Sequence, residues 1–197
     1  MNIYSNLPQI SLSQLDGKIK FYNSNDNYNK NAKKNNFSYL LSEIGNLSPY
    51  LKKISKNELE WLKVIKDKSL IQILRELTPE KKQFNENLIQ ECRLIKQRSF
   101  LITSIFDIYG YISLNQVSYI LTYVSDYILS ILSDYVINEK VYDHSGLQSK
   151  KIDKKSFNFF ILAMGKMGSF ELNYSSDIDI IFFYSLNYKK YRDISET

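Results

Sequence analysis

Between residues 37 and 137, apolar residues recur at intervals of three and four, the period of a helix with one buried face. One such run is opened by Asn57 as N-cap and carries Leu59, Leu62, Ile65 or Val64, then Ile73, Leu74 and Leu77. Thr78-Pro79-Glu80 reads as a second start: a cap residue, proline at the first helical position, then an acid in the first turn. The helix it opens places Leu88, Cys92, Ile95, Ile102 and Phe106 on one face, and Gly110 suits its stop. Ser113-Leu-Asn-Gln116 spells a capping box, followed by the best apolar stripe in the chain, from Val117 and Ile120 through Val124 to Ile131 and Tyr135. These stripes predict a helical bundle core. Cys92 then reads as a small buried hydrophobe rather than a nucleophile. A sharper alternative makes Tyr109, Tyr111, Tyr119, Tyr123 and Tyr127 a partner surface, but packing is the preferred reading.

The pattern changes on both sides of this region. Residues 1–36 are Asn/Lys-rich and too polar to repay their ordering entropy, so they are expected to be disordered. Residues 138–156 read as a solvated linker, with His144 at its surface. Phe157–Met164 is then a short aromatic-rich run, read as a buried strand. A glycine turn over 165–169, a brief polar stretch and a second strand over Asp177–Tyr184 follow. The fold class predicted is α+β: a helical N-terminal bundle followed by the first strands of a larger sheet over 157–197.

Composition narrows the chemistry. The chain has 197 residues, 44% of them hydrophobic, enough to bury a sizeable core. One Cys and one His exclude a disulfide framework and a Cys/His zinc site. The net charge is +5, of which five lysines against two aspartates in residues 1–36 supply +3. The other 161 residues therefore carry +2, too little for a basic nucleic-acid face. No targeting segment is read at the start. Val117–Ile137 is interrupted by Asp126 and Asp134, so it reads as an amphipathic helix rather than a membrane span. No nucleic acid and no membrane are expected as partners, and the expected location is the cytoplasm.

Two features carry chemistry. Gly165-Lys166-Met167-Gly168-Ser169 follows a strand directly. Its glycines let the backbone approach an anion, and a helix starting at Ser169 would aim free N–H groups at it. Lys166 would add a point charge and Ser169 a hydroxyl donor. The second feature is Asp177-Ile178-Asp179. On a strand, the two acids project from one face, roughly 6–7 Å apart at Cα. Their repulsion is on the order of 2–3 kcal/mol at an intermediate dielectric. A divalent cation relieves it, and oxygen-only ligands suit Mg²⁺ holding a nucleotide's phosphates. Ile178 and Ile180 would point into the core. Together the features give a phosphate cradle beside a metal-binding acid pair, the layout of the nucleotidyltransferase fold.

The segment from Phe160 to Tyr184, FILAMGKMGSFELNYSSDIDIIFFY, resembles the signature GMGKLGGxELNYSSDIDLIF of the bifunctional glutamine synthetase adenylyltransferase/adenylyl-removing enzymes. Gly45-Asn-Leu-Ser-Pro-Tyr-Leu51 is similar to an S-P-Y/F-L segment near that family's N-terminus. The spelling Glu171–Asp177 resembles the adenylyl-removing half. In that half, phosphate attacks the phosphodiester between AMP and a glutamine synthetase tyrosine and releases ADP. The resemblance implies Mg²⁺ on Asp177 and Asp179, phosphate at Gly168, Ser169 and Lys166, and catalytic roles for the two acids. It also implies glutamine synthetase, ATP/ADP, phosphate and a PII-type signalling protein as partners. The chain departs from the pattern at Met167 and Ser169. It stops at Thr197, before the third carboxylate and the second catalytic half that the family carries. A fragment, a truncated frame or a decayed product is therefore expected, without full catalytic activity. The competing readings are another nucleotidyltransferase-fold enzyme and a non-catalytic helical interaction module.

Overall fold

The computed structural model describes residues 7–9, 11–15, 37–80, 87–136 and 157–186. Among the described residues, a 3-10 turn at Leu12–Gln14 precedes six α-helices: α1 (Phe37–Leu47), α2 (Pro49–Asn57), α3 (Leu59–Ile65), α4 (Leu70–Leu77), α5 (Leu88–Ile108) and α6 (Leu114–Tyr135). Strand β1 (Phe157–Met164), the four-residue helix α7 (Gly165–Gly168) and strand β2 (Asp179–Leu186) follow. The described residues are thus mostly helical, with a small antiparallel two-stranded sheet. His144 and the expected linker lie outside the described residues.

Helix starts follow local chemistry where a side chain can satisfy the free N–H groups. Ser48 accepts from the N–H of Leu51, and Pro49 occupies the first position of α2. At Ser113 both bonds of the capping box form with Gln116, as its spelling predicts. Gly110, at φ +72°, ends the run behind α5 in a conformation that glycine adopts without strain. Three boundaries differ from expectation. Asn57 is the last residue of α2 rather than a cap, and the following run splits into α3 and α4. The split falls at Ser69, which forms a second capping box with Gln72. Thr78 closes α4, donating its hydroxyl to the carbonyl of Leu74 at 2.8 Å, instead of opening α5. Helix α5 starts after Asn87.

The core gathers Leu62, Ile65, Leu70, Ile73 and Leu74 against Leu101, Ile102, Ile105 and Phe106 of α5 and Val117, Ile120 and Val124 of α6. Cys92 is buried beside Leu88 and Ile131. Of the five tyrosines considered as a partner surface, Tyr111, Tyr123 and Tyr127 are partly buried against the core and Tyr119 is partly exposed. Tyr109 is buried and donates to Glu43 at 3.2 Å, and Tyr127 donates to the carbonyl of Pro79 at 3.1 Å. Part of the segment expected to be disordered also packs. Leu7, Leu12 and Leu15 are buried in the same core, Ser11 bridges to Ser69, and the N–H of Ser13 donates to the carbonyl of Lys66. Three leucines among polar neighbours suffice, because a groove beside α3 and α4 receives them.

The corner between α2 and α3 turns at Glu58, which is 8% exposed. Its carboxylate accepts from Nε of Arg98 at 2.7 Å, and the guanidinium lies 4.7 Å above the ring of Trp61. An ionised acid at that depth is tolerable because this partner meets it.

The sheet contradicts one expectation. Phe160, Leu162, Met164, Ile181 and Phe183 share one face with Asp179, while Ile161, Ala163, Ile180, Phe182 and Tyr184 share the other. Both faces are apolar, yet large side chains on each stay exposed among the described residues: Phe160 is 58% and Phe182 55% exposed. The strands are composed as interior strands, and two strands alone supply no second layer to bury them.

Arg98→Ala is expected to destabilise the fold by about 3 kcal/mol, because it leaves Glu58 buried without its cation. Urea unfolding measures this, and adding Glu58→Gln to the same chain should recover part of the loss.

Candidate functional site

The end of β1 and the start of β2 face each other, with Met164 opposite Asp179 in the ladder. The chain leaves β1 through Gly165, whose φ of +53° lies in the left-handed region. A Cβ on Gly165 would stand 3.4 Å from Oδ2 of Asp179, so the glycine turn and this carboxylate are direct neighbours. Gly168 serves a different purpose. A Cβ there would lie 2.5 Å from the carbonyl oxygen of Ala163, so the glycine lets α7 fold back onto β1.

The expectation of a helix starting at Ser169 is overturned, because α7 ends there. The N–H of Ser169 is already committed to the carbonyl of Gly165 at 3.1 Å. Its hydroxyl lies 3.1 Å from that same oxygen and 3.2 Å from Oε2 of Glu171. These, with the carbonyl of Lys166 at 3.4 Å, are all acceptors, so the hydroxyl hydrogen is already engaged by the turn or by Glu171. An anion on this serine would also meet the charge of Glu171 unless a cation stood between them. The side chain of Lys166 is exposed.

Beyond Ser169 the chain is pinned to the helices at alternate residues. Phe170 has φ +61°, rare for a residue with a side chain, and its ring stacks on Tyr119 of α6 at 5.4 Å. Leu172 is buried. Tyr174 packs edge-on against Phe100 of α5 at 4.9 Å and donates its hydroxyl to Oδ2 of Asp107 at 3.0 Å. Burial, and then the negative charge of Asp107, hold this phenol well above the ordinary tyrosine range. Between the anchors, Asn173 closes a turn. Its Oδ1 accepts from the N–H of Ser175 at 3.0 Å and from the hydroxyl of Ser176 at 2.9 Å. The hydroxyl of Ser176 in turn accepts from the N–H of Asn173 at 3.0 Å.

This turn delivers Asp177 two residues before β2 begins. The alternation of a strand therefore does not govern the acid pair, as the sequence reading assumed. Asp179 opens the ladder beside Gly165. Asp177 lines a cavity of about 320 Å³ between α5, α6 and the 172–178 loop, whose walls include Phe100, Leu121, Val124, Ile128 and Leu172. Ile178, expected in the core, is 40% exposed, because the residue precedes the strand. Both carboxylates are exposed and have no hydrogen-bond or ion-pair partner among the described residues. They are two oxygen donors free to take a cation, a set that suits Mg²⁺ completed by water and phosphate oxygens. No group of three or more His, Cys, Asp or Glu side chains able to hold a metal occurs among the described residues.

The sequence reading passed over Phe170, Leu172 and Tyr174 as part of a polar stretch. Their period of two was the available signal. Asp107 and Phe100 carry no local signal, because they belong to the site only through packing.

A profile of the family described as glutamate-ammonia ligase adenylyltransferase matches residues 39–196. The chain is similar to the bifunctional glutamine synthetase adenylyltransferase/adenylyl-removing enzyme of Psychromonas ingrahamii, 36% identical over 104 residues, covering 53% of this chain and 11% of that protein. The enzyme of the same description from Caulobacter vibrioides is 36% identical over 97 residues, 47% of this chain and 10% of that protein. That of Rhodopseudomonas palustris HaA2 is 74% identical over 27 residues, 14% of this chain and 3% of that protein. The matched part thus spans about a tenth or less of these relatives' length. No solved structure matches the chain.

Two consequences can be measured. Gly168→Ala should lower the melting temperature or melt α7 locally, since the methyl group would collide with the backbone of Ala163 and not with a movable side chain; proteolysis within 165–170 should rise with it. Tyr174 should make stability fall with alkali. Its native pKa is raised above the value of 10.0 for an unperturbed tyrosine, so its contribution is complete below pH 10 and is lost as pH rises toward the raised value. Tyr174→Phe should therefore show a smaller drop in urea midpoint between pH 8 and pH 11 than the parent chain.

Proposed function

The chain belongs to the glutamate-ammonia ligase adenylyltransferase family, and on that premise we propose that residues 157–186 begin a nucleotidyltransferase-fold site of the adenylyl-removing kind. The reaction proposed is phosphorolysis of the phosphodiester between AMP and a tyrosine of glutamine synthetase. An oxygen of inorganic phosphate attacks the phosphorus, the bond to the tyrosine oxygen breaks, ADP leaves and the tyrosine recovers a proton. Glutamine synthetase is thereby the protein partner, with ATP/ADP and phosphate as small-molecule partners. A PII-type signalling protein is the proposed regulator, and the cytoplasm the proposed location. No helix among the described residues is long and apolar enough to cross a membrane.

The observation that carries this reading is the carboxylate of Asp179 standing at the left-handed Gly165 turn without a protein partner among the described residues. Asp177 and Asp179 would hold Mg²⁺, which when bound supplies charge neutralisation at the reacting phosphorus. The chain's own residues do the rest. Gly165 makes the left-handed turn that carries the chain past Asp179. Lys166 offers an exposed positive charge to phosphate oxygens. Gly168 brings α7 against β1, and Ser169 follows directly at its end. The hydroxyl of Ser169 must rotate away from Glu171 to donate to a phosphate, a small cost at an exposed position.

Calorimetric titration with Mg²⁺·ADP tests the reading. Binding should be abolished by EDTA and weakened roughly tenfold or more, about 1.4 kcal/mol, by either Asp177→Asn or Asp179→Asn, with little change in melting temperature. Binding that survives both substitutions would sink the metal site. Incubation with adenylylated glutamine synthetase, Mg²⁺ and phosphate, with ADP release as the readout, tests the direction of the chemistry.

A further inference from the structure

We propose that Tyr174 is a positioning residue for the acid pair, held in place by Asp107 of α5. This rests on the metal reading above.

The two carboxylates are held by different bodies. Asp179 is fixed by the β1–β2 ladder, opposite Met164 and beside Gly165. Asp177 precedes the ladder and hangs from the Asn173–Ser176 turn. That turn is closed by two reciprocal links: Oδ1 of Asn173 takes the hydroxyl of Ser176, and the N–H of Asn173 donates back to the same hydroxyl. The N–H of Ser176 also donates to the carbonyl of Asn173 at 3.2 Å. Few torsions between Tyr174 and Asp177 remain free, so the turn moves as a unit with its anchor.

The anchor is the Tyr174 ring. It is gripped by the edge of Phe100, and its hydroxyl is fixed on Asp107. A phenol donating to an ionised carboxylate is a short-range, directional restraint, stronger than a neutral pair. The spacing of Asp177 from Asp179 therefore depends on a junction on α5, far from both acids in sequence. A cation that needs both carboxylates senses that spacing through its affinity.

The experiment is Mn²⁺ titration of the 197-residue chain, read by the loss of the free-ion electron paramagnetic resonance signal. Tyr174→Phe keeps the ring and its packing but removes the hydroxyl. It and Asp107→Ala should each weaken Mn²⁺ binding about threefold to thirtyfold. Asp107→Asn retains an acceptor for the phenol and should bind Mn²⁺ nearly as the parent does. In an Asp177→Asn background, Tyr174→Phe should have no further effect. A purely structural tyrosine would lower the melting temperature and leave affinity at 20 °C untouched; that result overturns the coupling while leaving the metal reading intact. An equal loss in the Asp177→Asn background overturns it as well. If the parent chain shows no Asp177-dependent Mn²⁺ binding, the metal reading itself fails, and the coupling falls with it. Far-UV circular dichroism of each variant separates loss of fold from loss of affinity.

Discussion

One phenol joins the helical body to the acidic loop. Tyr174 leaves solvent to lie against Phe100, a burial that would be costly for its hydroxyl alone. The ionised oxygen of Asp107 offsets that cost with a charge-assisted hydrogen bond of 3.0 Å. The neighbouring anchors extend the same logic. Phe170 accepts a left-handed backbone, a strain of order 1 kcal/mol or more, in a segment where its ring stacks on Tyr119. Leu172 sits between them, buried. Every second residue of the segment is thus spent on docking. Glu171, Asn173 and Ser175 are left to face outward, cap and turn.

The chemistry is arranged around this docking. Gly165 supplies a left-handed turn beside Asp179, and Gly168 has no side chain where the backbone of Ala163 intervenes. The two glycines look alike in the sequence but answer different constraints, one of conformation and one of contact. Ser169 and Glu171 add a hydroxyl and a negative charge to the same turn. Three carboxylates, those of Glu171, Asp177 and Asp179, thus lie on one short stretch of chain, so an anionic ligand needs a cation to accompany it. The sheet has its own requirement. Apolar residues on both faces of β1 and β2 call for cover on both sides.

Legibility in the sequence followed the range of the interaction. The capping box at Ser113 and the stop at Gly110 were readable because each is completed within four residues. Strand β1 is readable to the residue from an aromatic-rich apolar run interrupted only by Asn158. The break between α3 and α4 was equally local, spelled Ser69-Leu-Ile-Gln72, but the apolar spacing continued across it and concealed it. Thr78-Pro79-Glu80 spells a helix start, although the hydroxyl of Thr78 closes the preceding helix instead. A Thr side chain can bond forward or back, and the local spelling does not choose between them. The burial of Leu7, Leu12 and Leu15 depended on a groove built by residues some fifty positions later.

By itself the sequence determined which chemical groups are present, their order, and the family to which the chain belongs. The glycines, the two acids and the near-continuous motif are covalent facts that no folding event alters. The tertiary structure decided what those groups can do together. It placed Asp177 on a loop tied to the helices and Asp179 on a strand tied to Gly165. It also drew Asp107 and Phe100 into the site from α5. The reason is physical: a side chain's neighbours within four residues are set by backbone geometry, whereas partners sixty or more residues away, such as Asp107 and Tyr174, meet only when burial of the core brings their elements together.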